Sequence, residues 1–192
     1  MITRPIVTPI TRAIVRALTG GSSLIQRIFI KQDPVLNSHY VLNTPVTLTG
    51  DFEIEVEFST TSTSQMDLIG DGTSLNLRLI TNSNILQMLV GNGVASVVNF
   101  SGTTPINDGL LHTAVFSKVG DDYKIRLDGS LEASQTVSGP VSPIATHIGY
   151  RGLNNLSYFN GILANAKFTD LTTPANNQTY ALDQATGNTE TS

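Results

Sequence analysis

Gly50-Asp51-Phe52-Glu53-Ile54-Glu55-Val56-Glu57-Phe58-Ser59 alternates large apolar side chains with carboxylates at a period of two. Successive side chains of an extended chain point to opposite faces, so Phe52, Ile54, Val56 and Phe58 share one buried face while Glu53, Glu55 and Glu57 share a wet one. Comparable runs follow at SLNLRLI (74–80, with Leu75, Leu77 and Leu79 inward), ILQMLV (85–90), VASVVNF (94–100), LHTAVFSKV (111–119), DYKIRLDG (122–129), ATHIGY (145–150) and YFNGILANAKF (158–168). Turn signals punctuate them: Gly70-Asp71-Gly72, Thr81-Asn82-Ser83-Asn84, Gly91-Asn92-Gly93, Gly120-Asp121-Asp122, Asp128-Gly129 and Gly139-Pro140. Many short strands at close spacing, with no helical period between them, predict an all-β fold: an antiparallel β-sandwich or jelly roll over residues 32–192. The stretch after Lys167 is expected to be loop and edge rather than core.

Composition agrees with that class. The 192 residues include 24 Thr, 17 Ser and 15 Asn but only 14% charged residues, the balance of a folded β protein with uncharged polar loops. The absence of cysteine excludes a disulfide framework, thiolate metal sites and a cysteine nucleophile. Without tryptophan, any sugar-stacking surface must use the five tyrosines and seven phenylalanines.

Charge divides the chain. Residues 1–31 carry Arg4, Arg12, Arg16, Arg27 and Lys31 and no acid, whereas the remainder sets six basic residues against fifteen acidic ones, a balance of −9. An acidic body is unsuited to phosphate neutralisation, so nucleic acid is not an expected partner. The first residues mimic a signal peptide, but Arg12 and Arg16 interrupt the apolar run, Pro5 and Pro9 break it, and no small-residue cleavage site follows. The run is also too short and too charged to span a bilayer. Thr8 as N-cap, Pro9 at the first helical position and Gly20 beyond the end predict instead an extended lead followed by a short amphipathic helix. Ile10, Ile14 and Leu18 fall on its apolar face and Arg12 and Arg16 on the other. A helix of about eleven residues is marginal alone in water and needs a surface to lie on. It can pack back as a lid, dock into a neighbouring chain, or lie on a membrane surface; the expectation is a basic anchoring arm, 1–31, docked through Arg4, Ile10, Arg12, Ile14, Arg16 and Leu18.

The most specific pattern runs from Asp108 to Gly129: Asp108-Gly109-x-x-His112, then Ala114-Val115-Phe116, a Gly120-Asp121-Asp122 turn, and Tyr123-Lys124-Ile125-Arg126-Leu127-Asp128-Gly129. It resembles the concanavalin A-like, laminin-G-like jelly-roll family, with Leu111 where that family usually has tryptophan. Gly50–Phe58 is similar to the family's opening strand and Phe159–Asp170 to its closing one, so the likeness covers roughly residues 50–170. It implies the fold and leaves activity open, since lectins, adhesion modules, glycanases and structural modules share it. The Thr-, Arg- and Pro-bearing arm ahead of such a domain resembles virion proteins of tailed bacteriophages.

Candidate sites follow from residue chemistry. Tyr150, Arg151, Asn154, Asn155 and Tyr158 combine an aromatic face with planar donors and amides, which is what a glycan's CH faces and hydroxyls require. Asp67, Asp71 and Asp108 are candidates for calcium, although their spacing specifies no site and turn aspartates commonly bond their own backbone. Glu53-Ile54-Glu55-Val56-Glu57 resembles the catalytic strand of laminarinase-type β-glucanases, yet Glu55 stands where an aspartate belongs. Glu53 and Glu57 would also lie roughly 13 Å apart on a straight strand, against about 5 to 5.5 Å for a retaining pair. His39, His112 and His147 are widely separated and read as packed or surface residues. No Gly-x-Ser-x-Gly elbow or phosphate loop occurs. The expectation is therefore a non-enzymatic structural virion protein, without cofactor, made in the host cytoplasm. Its arm would attach it to capsid or tail proteins, as a homo-oligomer such as a trimer, and it would project a lectin-like sandwich toward a cell-surface glycan. Alternatives are a free carbohydrate-binding module and a β-glucanase-type hydrolase.

Overall fold

The computed structural model describes residues 39–73, 76–139, 141, 143–151 and 157–182, together with the backbone of 30–31 and 189–190. The arm positions Arg4, Ile10, Arg12, Ile14, Arg16 and Leu18 lie outside the described residues, as do Leu75, Asn154 and Asn155.

Fourteen strands are described: β1 (Ile30–Lys31), β2 (Tyr40–Thr47), β3 (Phe52–Ser59), β4 (Met66–Gly70), β5 (Leu77–Asn82), β6 (Ile85–Gly91), β7 (Ser96–Ser101), β8 (His112–Val119), β9 (Asp122–Leu127), β10 (Ser130–Thr136), β11 (Ile144–Ile148), β12 (Ile162–Asp170), β13 (Gln178–Ala181) and β14 (Thr189–Glu190). Among the described residues one 3-10 turn, Pro174–Asn176, interrupts them. One sheet runs β1-β12-β3-β8-β9-β10, with β13 also along β12; the other runs β14-β2-β11-β4-β5-β6-β7. Their inner faces pack together as a jelly-roll sandwich. All pairs are antiparallel except β14 with β2.

The opening quoted stretch is β3, near the centre of its sheet, and its four apolar residues are fully buried. Val56 pairs with Ala114 on one side and Ala166 on the other, so small residues flank the branched one across three strands. The turns follow their residues: Ser83 and Asn84 adopt φ of 51° and 64° between β5 and β6, and Asp128 and Gly129 adopt 50° and 83° between β8–β9 and β10. Paired left-handed residues match the twist of a tight hairpin.

One long side of the sandwich is closed by side chains. Glu132 of β10 accepts from the backbone N–H groups of Thr103 and Thr104 at 3.0 and 2.9 Å, and Gln135 accepts from Asn99 N–H on the edge of β7 at 3.1 Å. Bonds of this kind blunt an edge strand against pairing with another.

Two expectations change. The segment after Lys167 does supply an edge strand, β13, but Tyr180 and Leu182 join the core, because Tyr180 packs edge-on against Phe168 at 5.9 Å. β5, expected to alternate, is buried on both faces, as is the neighbouring β4, where Gly149, Arg151 and Ser157 of the chain after β11 bond Leu68, Gly72 and Asp67.

Candidate functional site

That returning segment builds the site. Gly149, with φ of 77°, ends β11 and its N–H bonds Leu68 carbonyl at 2.8 Å. The chain then lies across Gly70 of β4: a Cβ at Gly70 would collide with the Tyr150 carbonyl and come within 2.7 Å of Arg151 Cα. Only glycine lets the backbone approach so closely. Gly72 N–H to Arg151 carbonyl at 3.0 Å, Asp67 N–H to Ser157 carbonyl at 2.9 Å and Phe159 N–H to Gly149 carbonyl at 2.9 Å pin both limbs of the segment.

Its two tyrosines meet. The rings of Tyr150 and Tyr158 stack in parallel, with 4.3 Å between centroids and 6° between planes. His39, just ahead of β2, lies 4.7 Å from Tyr150 and 5.7 Å from Tyr158; His147 of β11 sets its ring edge-on to Tyr150 at 5.4 Å and lies 5.8 Å from His39. Tyr150 is only 6% exposed and acts as a buttress, whereas Tyr158, His39, His147 and Arg151 are half-buried. Burial and the hydrogen bond with Tyr150 raise the Tyr158 phenol above its usual range, so its ring stays neutral at physiological pH.

Burial, and then the neighbouring His39, hold the His147 imidazole below the ordinary histidine value, against the opposing pull of Asp71. Thr146 donates its hydroxyl proton to Gly70 carbonyl at 3.4 Å and contacts His147 Nδ1 at 2.7 Å. That contact engages Nδ1 and leaves Nε2 as the second ring nitrogen. The cluster thus combines a stacked aromatic face, a neutral imidazole and the Arg151 guanidinium.

The floor beneath is an ion pair. Arg78 Nε and Nη2 donate to the two oxygens of Asp67 at 2.7 and 2.9 Å, and both residues are buried. Burial pushes the Asp67 carboxyl up, while Arg78 and, less directly, Arg151 and Ser157 draw it down. Asp71 accepts from Thr73 N–H at 2.8 Å, Thr73 hydroxyl at 2.7 Å and Asn76 N–H at 2.7 Å, closing the loop beside His147.

The three aspartates named for calcium therefore already serve the backbone and basic side chains. Asp67 pairs with Arg78 and Asp71 caps its loop, while Asp108, before β8 of the other sheet, bonds Leu110 N–H at 2.8 Å and His112 Nε2 at 3.1 Å. Among the described residues no group of three or more His, Asp or Glu side chains is arranged to hold a metal. Glu53, Glu55 and Glu57 line the outer face of the other sheet, opposite Thr169, Lys167 and Asn165 of β12, on a half-buried stripe away from the aromatic cluster.

Of the glycan candidates, Tyr150, Arg151 and Tyr158 come together, and Asn154 and Asn155 fall outside the described residues. His39 and His147 were missed as members of the site. Only the pairing of β2 with β11, His147 opposite Val41 and Ile148 opposite Tyr40, brings them to the tyrosines, and spacing in a single strand cannot encode it.

No protein-family model matches the chain, and no curated protein is similar to it in sequence. Solved structures are similar in fold. A candidate carbohydrate-binding protein from Bacteroides ovatus is 12% identical, over 77% of this chain and 50% of that one, with a TM-score of 0.58. The CBM40 of the Ruminococcus gnavus IT-sialidase, bound to alpha2,3 sialyllactose, is 16% identical over 70% and 85%, with a TM-score of 0.50. Domains LG4-5 of the mouse laminin alpha1 chain are 18% identical over 77% and 44%, with a TM-score of 0.49. The chain thus spans half or less of the laminin and Bacteroides chains. At such identities the likeness establishes fold alone: an antiparallel jelly-roll β-sandwich, the fold expected from 50–170.

Proposed function

We propose that the chain is a non-catalytic carbohydrate-binding jelly roll, carried on a tailed-phage particle by its basic N-terminal arm as a decoration, fibre or host-attachment protein. The observation that supports sugar binding is the parallel Tyr150–Tyr158 stack flanked by His39, His147 and Arg151. A pyranose presents a CH face that stacks on an aromatic ring and hydroxyls that bond an imidazole or guanidinium. Here Tyr158 supplies the ring, Tyr150 holds it in place, His147 Nε2 accepts a hydroxyl proton and Arg151 donates. In this reading the site binds its ligand and releases it unchanged.

The particle reading is supported by the charge division between residues 1–31 and the rest, and it takes other virion proteins as partners of the arm. A homo-oligomer, such as a trimer, would multiply weak sugar contacts through avidity.

A glycan array probed with the full chain and with Tyr158→Ala tests the first part. Binding of defined glycans by the wild type, lost in Tyr158→Ala with little change in melting temperature, is expected. A blank array, or retention of the same glycans by the variant, contradicts it. Incorporation into particles of the full chain and of Ile14→Asp/Arg16→Glu tests the second part, and equal incorporation of both contradicts arm anchoring.

A further inference from the structure

On the side of the sandwich opposite Glu132, the described residues line a groove of about 290 Å³ between β2 and the chain leading into β13. Thr44, Thr47 and Thr49 line one wall and Asn176, Gln178 and Tyr180 the other. The rest of the lining is Pro45, Val46 and Ala175, so apolar carbon alternates with hydroxyls and amides and no lining residue is charged.

The walls are fixed before any ligand arrives. Buried Asp170 accepts from Asn176 Nδ2 at 3.0 Å, Thr173 N–H at 2.7 Å and Thr172 N–H at 3.0 Å, and from the backbone of Thr49 across the groove. These bonds, Asn176 foremost, hold the Asp170 carboxyl below the usual carboxylate range. Tyr40 hydroxyl donates to Leu182 carbonyl at 3.3 Å, bracing β2 against the end of β13 from within the core. A cleft with preformed walls spends little of its binding energy on ordering itself.

The geometry points to a second binding site in this groove, for an uncharged mono- or disaccharide unit. The volume is at the low end of ligand pockets, which suits one or two sugar rings. Threonine methyls, Pro45 and Ala175 meet CH faces; threonine hydroxyls and Gln178 bond sugar hydroxyls. A carboxylated or phosphorylated ligand would find no cation in the lining to replace its hydration. The groove is independent of the stacked tyrosines: Thr44 stands roughly 16 Å along an extended chain from His39.

The test is a titration of the isotope-labelled full chain, followed by amide spectra, with methyl glucoside, lactose, cellobiose and glucuronate. At least one neutral sugar is expected to shift amides of 44–49 and 175–180. The shift should persist in Tyr158→Ala and weaken about fivefold in Gln178→Ala, the loss of one neutral hydrogen bond. Thr44→Ala, at an exposed position, provides a second variant should Gln178→Ala unfold. No shift in these residues with any neutral sugar overturns the inference, as does glucuronate matching methyl glucoside, or shifts abolished by Tyr158→Ala. An array left blank while these amides still shift would defeat only the tyrosine site.

Discussion

His112 sits between two carboxylates, with Nδ1 2.8 Å from Asp128 and Nε2 3.1 Å from Asp108, and is 8% exposed. Burial pushes its imidazole down, but the bonds and charges of Asp128 and then Asp108 outweigh it and hold the value above 6.5. A histidine raised in the folded state binds its proton more tightly there than when unfolded. Its stabilising contribution is therefore complete below about pH 6.5 and is lost as pH rises through the folded value. His112→Asn is expected to flatten that decline in urea midpoints measured from pH 5.5 to 8.5; an unchanged pH profile would remove His112 as its source. At Asp67, Asp67→Ala leaves the Arg78 guanidinium buried and unpaired, which should cost about 3 to 5 kcal/mol in urea unfolding. Asp67→Leu/Arg78→Met should recover most of that loss, and no recovery would mean the carboxylate does more than neutralise Arg78. Asp108 and His112 stand out in the sequence as a pattern and not as a contact. Asp128 reaches His112 only through the hairpin register that pairs Ala114 with Leu127.

Strands with one wet face are those the sequence announces, and β3, β8 and β9 follow their alternation closely. β4 and β5 do not: Asp67, Arg78 and Ile80 are all buried, Asp67 bonds Ser157 far along the chain, and burial imposed from a distance leaves no local period. The same long-range packing hid the groove: nothing in the sequence joins residues 44–49 to 175–180, and only the sandwich sets them face to face. Gly70 is where this element-scale packing can be broken selectively. Gly70→Ala places a methyl against backbone atoms of Tyr150 and Arg151, so the segment must lift from β4. Overpacking of this kind should cost about 1 to 3 kcal/mol. It should also lower sugar affinity at the tyrosine site by about tenfold or more, with the far-ultraviolet strand signal intact. Wild-type affinity in Gly70→Ala, measured by calorimetry, would mean that the approach at Gly70 does not position the site.

For the molecule as a whole, the two sheets divide the labour. One presents the glutamate stripe of β3, and the other carries the imidazole and tyrosine rings on its outer face, with the uncharged groove between them on the side opposite Glu132. Because His147 is held below the usual histidine value, its acceptor nitrogen is present at neutral pH and is lost on acidification below about pH 6.5. Sugar affinity at the tyrosine site should be level from pH 6.5 to 8 and fall below that range, a fall that His147→Gln should abolish. A decline at alkaline pH instead would assign the acceptor elsewhere. The most direct measurement is the position of a bound sugar: titrate the labelled full chain with the best glycan from the array and follow the amide and imidazole signals. The account predicts shifts at 146–151 and 157–158, with both His39 and His147 ring signals moving together. Saturable binding that leaves those residues and both imidazoles unmoved would contradict it.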